Sequence, residues 1–199
     1  MTTCTMLLGL AIAPLGWVLM LAATVTPQWQ EFHERPGYPQ DVSFSDGLWE
    51  SCVEVTSIQG KVCQPLPEEM AVSWPILLVR ALTVSALLVG FLSYGLANAG
   101  VRWWTEHSNN CLEGVSGLLY LLSGLVYLCA TSYMAYRIIA NITNLQVPEE
   151  DKYHLGTCFY LGWSGGAAET FAGVCLATSF QRVNYNCLRN LSLPYDVDY

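Results

Sequence analysis

Four long stretches of this chain carry almost no charge, and they constrain its fold more than any other feature. No Asp, Glu, Lys or Arg occurs from Met1 to Gln30, between Arg80 and Arg102, or between Glu113 and Arg137. Between Lys152 and Arg182, Glu169 alone interrupts. Each stretch reaches the ~20 residues that carry a helix across a bilayer. Lipid offers the backbone no hydrogen-bond partners, so all four are predicted helices, which bond internally. Burial inside a soluble protein is the alternative. It fails on composition, because only 12% of residues are charged, about half the share in a typical soluble domain. The first stretch lacks a basic leader and exceeds the ~7–15-residue apolar core of a secretory signal, so it reads as a span.

The resulting organisation is a single domain, 1–199. Spans run about 6–26, 76–97, 114–136 and 158–180. Outer loops cover 27–75 and 138–157, a short connection holds Trp103 and Trp104, and a polar tail covers 181–199. Four spans put both termini on one side. Lys and Arg are spread too evenly to orient the chain by the positive-inside rule. Cysteine usage decides instead: Cys52 and Cys63 lie in the long loop, and disulfides persist outside the cell. The sequon Asn141-Ile142-Thr143 makes Asn141 a candidate glycosylation site on the same side. The loops are therefore expected outside and both termini in the cytosol, where the second sequon, Asn190-Leu191-Ser192, goes unused. Cys111, Cys175 and Cys187 fall near cytosolic span ends and are candidates for palmitoylation, the alternative being reduced thiols. Cys129 and Cys158 are expected to pack inside the membrane.

The long loop reads as strands broken by turns. Phe44-Ser45-Asp46-Gly47 ends in a turn dipeptide, Cys52 to Val55 is strand-like, Gln59-Gly60 turns, and Val62-Cys63 returns. That spacing suits a crosslink between neighbouring hairpin strands. The alternative for the cysteine pair is zinc. Zinc needs further soft ligands, and His33 is the only histidine in the loop, so a disulfide is expected.

Trp29, Gly47-Leu48-Trp49, Cys52, Cys63 and Arg80 together resemble the claudin signature. Around the second loop, Arg137-Ile138-Ile139, Asn144, Val147-Pro148, Lys152-Tyr153, Leu155-Gly156 and Tyr160-Leu161-Gly162-Trp163 extend the likeness over nearly the whole chain. The first-loop motif alone is shared with peripheral myelin proteins, epithelial membrane proteins and auxiliary channel or receptor subunits. The resemblance implies a four-helix transmembrane bundle topped by a small antiparallel extracellular sheet built from both outer loops. Trp29 and Gly47-Leu48-Trp49 would anchor that sheet. It also implies a plasma-membrane, tight-junction protein that pairs with other claudins in cis and in trans, sealing the paracellular space or conducting ions through it. The alternative function is an auxiliary subunit of another membrane protein. The chain departs from the family pattern at Ile142-Thr143, where an aromatic pair is usual, and at Gln64, which is acidic in some cation-permeable members. It also departs at Glu169 and at the end of the tail, where Val197 and Tyr199 offer a hydrophobic-x-hydrophobic ligand for a PDZ scaffold.

Charge supplies the functional expectation. In loop 27–75, eight acids stand against Arg35 and Lys61, or −6; in the second loop Glu149, Glu150 and Asp151 against Lys152 give −2. Together they equal the formal net charge of −8. Glu50, Glu54, Gln64, Glu68 and Glu69 are the candidate pore or charge-selectivity residues, and a cation preference is expected. The alternative is a solvated acidic surface with no pore. Alternation along a strand puts Glu50, Cys52 and Glu54 on one face. Glu169, in mid-span, is expected to be a protonated carboxyl bonded to a hydroxyl on a neighbouring helix. No catalytic motif, metal site, cofactor or nucleic-acid interface is expected.

Overall fold

The computed structural model describes residues 4–32, 39, 41–58, 60–100, 110–143 and 154–178. Four long helices form a bundle: α1 (Cys4–Val25), α3 (Trp74–Gly100), α4 (Asn110–Ile142) and α5 (Cys158–Ala177). Between α1 and α3 lie β1 (Gln30–Phe32), β2 (Val42–Asp46), β3 (Glu50–Val55), β4 (Gly60–Pro65) and the one-turn α2 (Glu68–Ala71); β5 (His154–Leu155) precedes α5.

Among the described residues, α1, α3 and α4 are each long and apolar enough to cross a membrane. Helix α5 is more polar, but its 20 residues rise ~30 Å, the thickness of the hydrocarbon core. Its polarity points inward: Glu169 is buried, and so are Gly162, Gly165, Gly166 and Gly173. Meanwhile Leu15, Val18, Leu88, Phe91, Leu92 and Phe171 are exposed on the outer surface. In water that pattern would be inverted; in lipid it costs nothing, because lipid is as apolar as the side chains it meets.

Helix α5 packs along both α1 and α4, and α4 along α3, whereas α1 and α3 touch only briefly. Small residues set the close crossing of α1 and α5. A Cβ on Gly16 would lie 3.0 Å from the Gly165 carbonyl oxygen, and one on Gly165 would lie 2.9 Å from that of Gly16. The two backbones therefore touch, the geometry that membrane helices use in place of a hydrophobic driving force. Three apolar clusters stack along the bundle: Met6, Ala13, Ala97, Tyr120, Ala172 and Leu176 at one end; Met20, Ala86, Leu87 and Tyr127 midway; and one around Trp29, Leu48, Val79, Met134 and Phe159 beneath the sheet.

Helix bounds differ from the sequence reading at both ends of α3 and α4 and at the end of α5. Helix α4 continues to Ile142, so residues 138–142 are helical and not loop. The charge at Arg137 marks where the apolar run ends, but a helix continues where it can still pack. Ile138 is buried beneath the sheet and Ile142 packs against the same cluster. Helix α5 ends at Ala177, and the rest of the tail, with Cys187, Val197 and Tyr199, lies outside the described residues.

The five strands form one antiparallel sheet in the order β4-β3-β2-β1-β5. Both outer loops therefore contribute to it.

Candidate functional site

The sheet is held on the bundle by residues that complete the end of α1. A helix leaves its last four carbonyls without partners. Here the indole N–H of Trp29 donates to Ala23 O at 2.8 Å and that of Trp49 to Thr24 O at 3.1 Å. The Cys158 thiol donates to Thr26 O just beyond the helix. Trp29 is only 1% exposed and meets Phe159 edge-on, with ring centroids 5.2 Å apart. It thus satisfies a polar group and fills the core beneath the sheet at once.

Gly47 permits the turn that follows β2. A Cβ there would lie 2.5 Å from Pro27 Cα, a separation that no packed carbon tolerates. The turn is closed by the Gly47 N–H donating to Glu50 O at 2.8 Å. It drops Leu48 into the core and leaves Trp49 half exposed. Arg80 reaches up from α3: its Nε donates to Leu48 O at 2.6 Å, a terminal nitrogen donates to Ala71 O at 3.4 Å, and the guanidinium lies 5.0 Å from the Trp49 ring centroid. One cation thereby ties the turn to α2 and α3. Its own charge is met by carbonyl dipoles and an aromatic face.

Cys52 and Cys63 are direct register partners on β3 and β4 and form a disulfide. A Glu50 carboxylate oxygen lies within 4.8 Å of both sulfurs. That grouping has the look of a metal site, but the sulfurs are bonded to each other and have no free thiolate to coordinate with.

Register assigns the charges to faces. Glu31 pairs with Ser45, Ser45 with Cys52, and Cys52 with Cys63. Side chains alternate along each strand, so Glu31, Glu50 and Glu54 share the disulfide's face. Lys61 is the register partner of Glu54, on that same face. The face therefore carries three carboxylates against one ammonium. Gln64, opposite Ser51, falls on the other face with Val53, Val55 and Val62. The structure thus separates Gln64 from Glu50 and Glu54. Glu68 and Glu69 are exposed on α2, off the sheet. Glu31 is the residue that the sequence reading missed as a site candidate; only its pairing with Ser45 shows that it joins this face.

Other sequence candidates land differently. Cys175 is buried against α1, its Cβ close to Gly9, which corrects its reading as an acylation site, because acylation needs a reachable thiol. Cys129 is exposed on α4 and is not packed inside, whereas Cys158 is buried. Asn141 is half-buried in the last turn of α4 with its Oδ1 enclosed, not displayed on a loop. The side chain of Cys111, and all of Cys187, lie outside the described residues.

Glu169 is fully buried at mid-bundle. Ser123 Oγ lies 3.3 Å from its Oε2 and donates to Ala86 O at 2.8 Å. Ser123 is thus the neighbouring-helix hydroxyl that the sequence led one to expect. A Cβ on Gly90 would sit 2.5 Å from Glu169 Oε1, so the missing side chain of Gly90 makes the space this carboxyl occupies.

A sequence profile of the PMP-22/EMP/MP20/Claudin family matches residues 3–176. Human Claudin-7 is 30% identical over 184 residues, covering 87% of this chain and 84% of that protein. Human Claudin-23 is 31% identical over 183 residues, covering 90% of this chain and 61% of that protein. Mouse Claudin-1 is 26% identical over 187 residues, covering 88% and 86%. With the signature residues placed at the joint between bundle and sheet, the chain belongs to the PMP-22/EMP/MP20/Claudin family, and the three relatives named above are claudins.

Proposed function

We propose that this chain is a tight-junction strand protein of the plasma membrane, with both termini in the cytosol. In this reading it associates with claudins in the same and the opposed membrane and limits or selects what passes between cells, without enzymatic chemistry. The observation that carries this reading is the anchored sheet. Three indole or guanidinium groups fix it to the bundle, so a surface built from both outer loops is held rigidly above the membrane. Among the described residues its terminal strands β4 and β5 are paired on one side only, and rigid edges suit lateral association.

The finer part of the reading is a preference for cations. It rests on the face bearing Glu31, Glu50 and Glu54. The screening length is ~8 Å in physiological salt, so carboxylates bordering a narrower passage would act strongly on ions in transit. Lys61 offsets Glu54, which leaves Glu31 and Glu50 as the stronger candidates.

Freeze-fracture of fibroblasts that lack junction strands tests the first part. Expression of this chain should produce intramembrane strands at cell contacts. Even distribution, or co-migration with a partner channel, would instead indicate an auxiliary subunit. Dilution potentials across epithelial monolayers test the second. Glu50→Gln should lower the sodium-to-chloride permeability ratio, and an unaltered ratio would point to a barrier with no selective pore. A PDZ scaffold at the C-terminus belongs to the same reading; deleting Val197 to Tyr199 should abolish capture by such a scaffold.

A further inference from the structure

A cavity of about 300 Å³ opens where α2, α3 and α4 meet β1. Its floor is apolar, with Ile76, Met134 and Ile138. Arg137 and Asn141 of α4 and Gln30 of β1 form its polar wall. The Arg137 side chain is exposed, and no carboxylate among the described residues pairs with it. Arg80, the other described arginine, is by contrast fully engaged with carbonyls and a ring. A guanidinium with no carboxylate partner among the described residues, over an apolar floor, is amphipathic in the sense of a lipid's boundary region.

Depth gives the ligand class. Ser123 lies level with Glu169 at mid-bundle. Arg137 is further along the same helix by almost four turns, or ~21 Å at 1.5 Å per residue. With a hydrocarbon half-thickness of ~15 Å and a bilayer of ~40–45 Å including headgroups, that is the level of the phosphates. Trp74, at the start of α3 beside this cavity, is 73% exposed, as befits an aromatic ring at the headgroup level.

We propose that this cavity binds one phospholipid of the outer leaflet. The Arg137 guanidinium would hold the phosphate through paired N–H donors. The Gln30 and Asn141 amides would border the headgroup, and Ile76, Met134 and Ile138 would take the glycerol and upper acyl chain. Such a lipid would pin the outer end of α4 to the same plane as β1. The proposal rests on the bundle crossing the membrane and on the sidedness proposed above, and not on the junctional role.

The test uses the full-length chain in lipid nanodiscs, extracted into mild detergent and weighed intact by native mass spectrometry. The wild-type chain should retain one phospholipid. Arg137→Gln should weaken retention at least about tenfold, the scale of a charged hydrogen bond lost, and Arg137→Lys should restore part of it. Discs of a phosphate-free galactolipid should yield no retained lipid. If Arg137→Gln fails to fold, the Arg137→Lys and galactolipid comparisons decide alone. Equal retention of galactolipid, or no difference between wild type and the variants, overturns the proposal. So does displacement by millimolar inorganic phosphate, which would show a free-anion site. A change in crosslinked dimers with lipid retention unaltered would assign the cavity to a second copy and overturn it equally.

Discussion

The joint between bundle and sheet and the centre of the bundle differ in how far side-chain donors or touching backbones do the holding. At the joint between bundle and sheet, long side chains reach unpaired carbonyls: Trp29 to Ala23, Trp49 to Thr24 and Arg80 to Leu48. At the bundle centre, backbones meet directly at Gly16 and Gly165, and the one carboxyl present has an oxygen with no partner. The difference follows from the solvent on each side. Near the headgroups a helix end exposes carbonyls that need donors, so directional bonds do the holding. In the hydrocarbon layer most carbonyls are spent within helices and close contact carries more of the packing, with single side-chain bonds between helices from Trp17 to Leu87 O, Ser123 to Ala86 O and Tyr127 to Met20 O. The outer end is thus sensitive to losing a donor and the centre to gaining volume.

That contrast can be broken deliberately. The largest effect is expected from Trp29→Ala, which removes a buried indole and uncaps Ala23 O; a loss of ~3–5 kcal/mol should appear as a lowered unfolding midpoint in detergent. Opening the disulfide by Cys52→Ser with Cys63→Ser should cost ~2–4 kcal/mol. Limited proteolysis should then cut between β3 and β4 while circular dichroism keeps its helical signal, because the brace lies wholly within the sheet. Gly165→Val tests the centre. The added carbons meet the Gly16 backbone and should cost ~1–3 kcal/mol by overpacking, read as reduced helix content on heating with the sheet's protease resistance unaltered until the bundle opens. The smallest effect is expected from Glu169→Gln, which keeps the shape and a donor for Ser123 and should shift stability by less than about 1 kcal/mol. A drop of several kcal/mol would show that this carboxyl makes more than the one contact to Ser123.

Much of this was legible in residue order. The charge-free runs announced the helices, and the turn dipeptides and cysteine spacing announced the β3–β4 hairpin. The signature residues pointed to the joint. Less legible was anything that depends on which strands lie side by side. Gln64 was a candidate because it follows Cys63 at a position that is acidic in some cation-permeable claudins, yet alternation in a paired strand turns it away from Glu50 and Glu54 to the other face. Glu31 looked peripheral, yet pairing across β2 brings it onto the disulfide's face. Cys175 looked reachable from the cytosol because helix ends are usually open, but its packing against α1 closes it off. The aromatic pair that the family usually carries is replaced by Ile142 and Thr143. Ile142 turns inward to the Trp29 cluster, and Thr143 bonds back to Ile139 O at 3.0 Å, a use that no linear motif encodes.

Residue order by itself determined the membrane class, the number of helices and the disulfide, since each follows from local hydropathy or from short spacing along the chain. Only the tertiary structure decided which carbonyl each tryptophan meets, which face each carboxylate shares, and how Gly90 makes room for Glu169. Those relations join residues far apart in sequence. They are set by the register of antiparallel strands and by the crossing points of helices, where a shift of one residue would turn every side chain to a different neighbour.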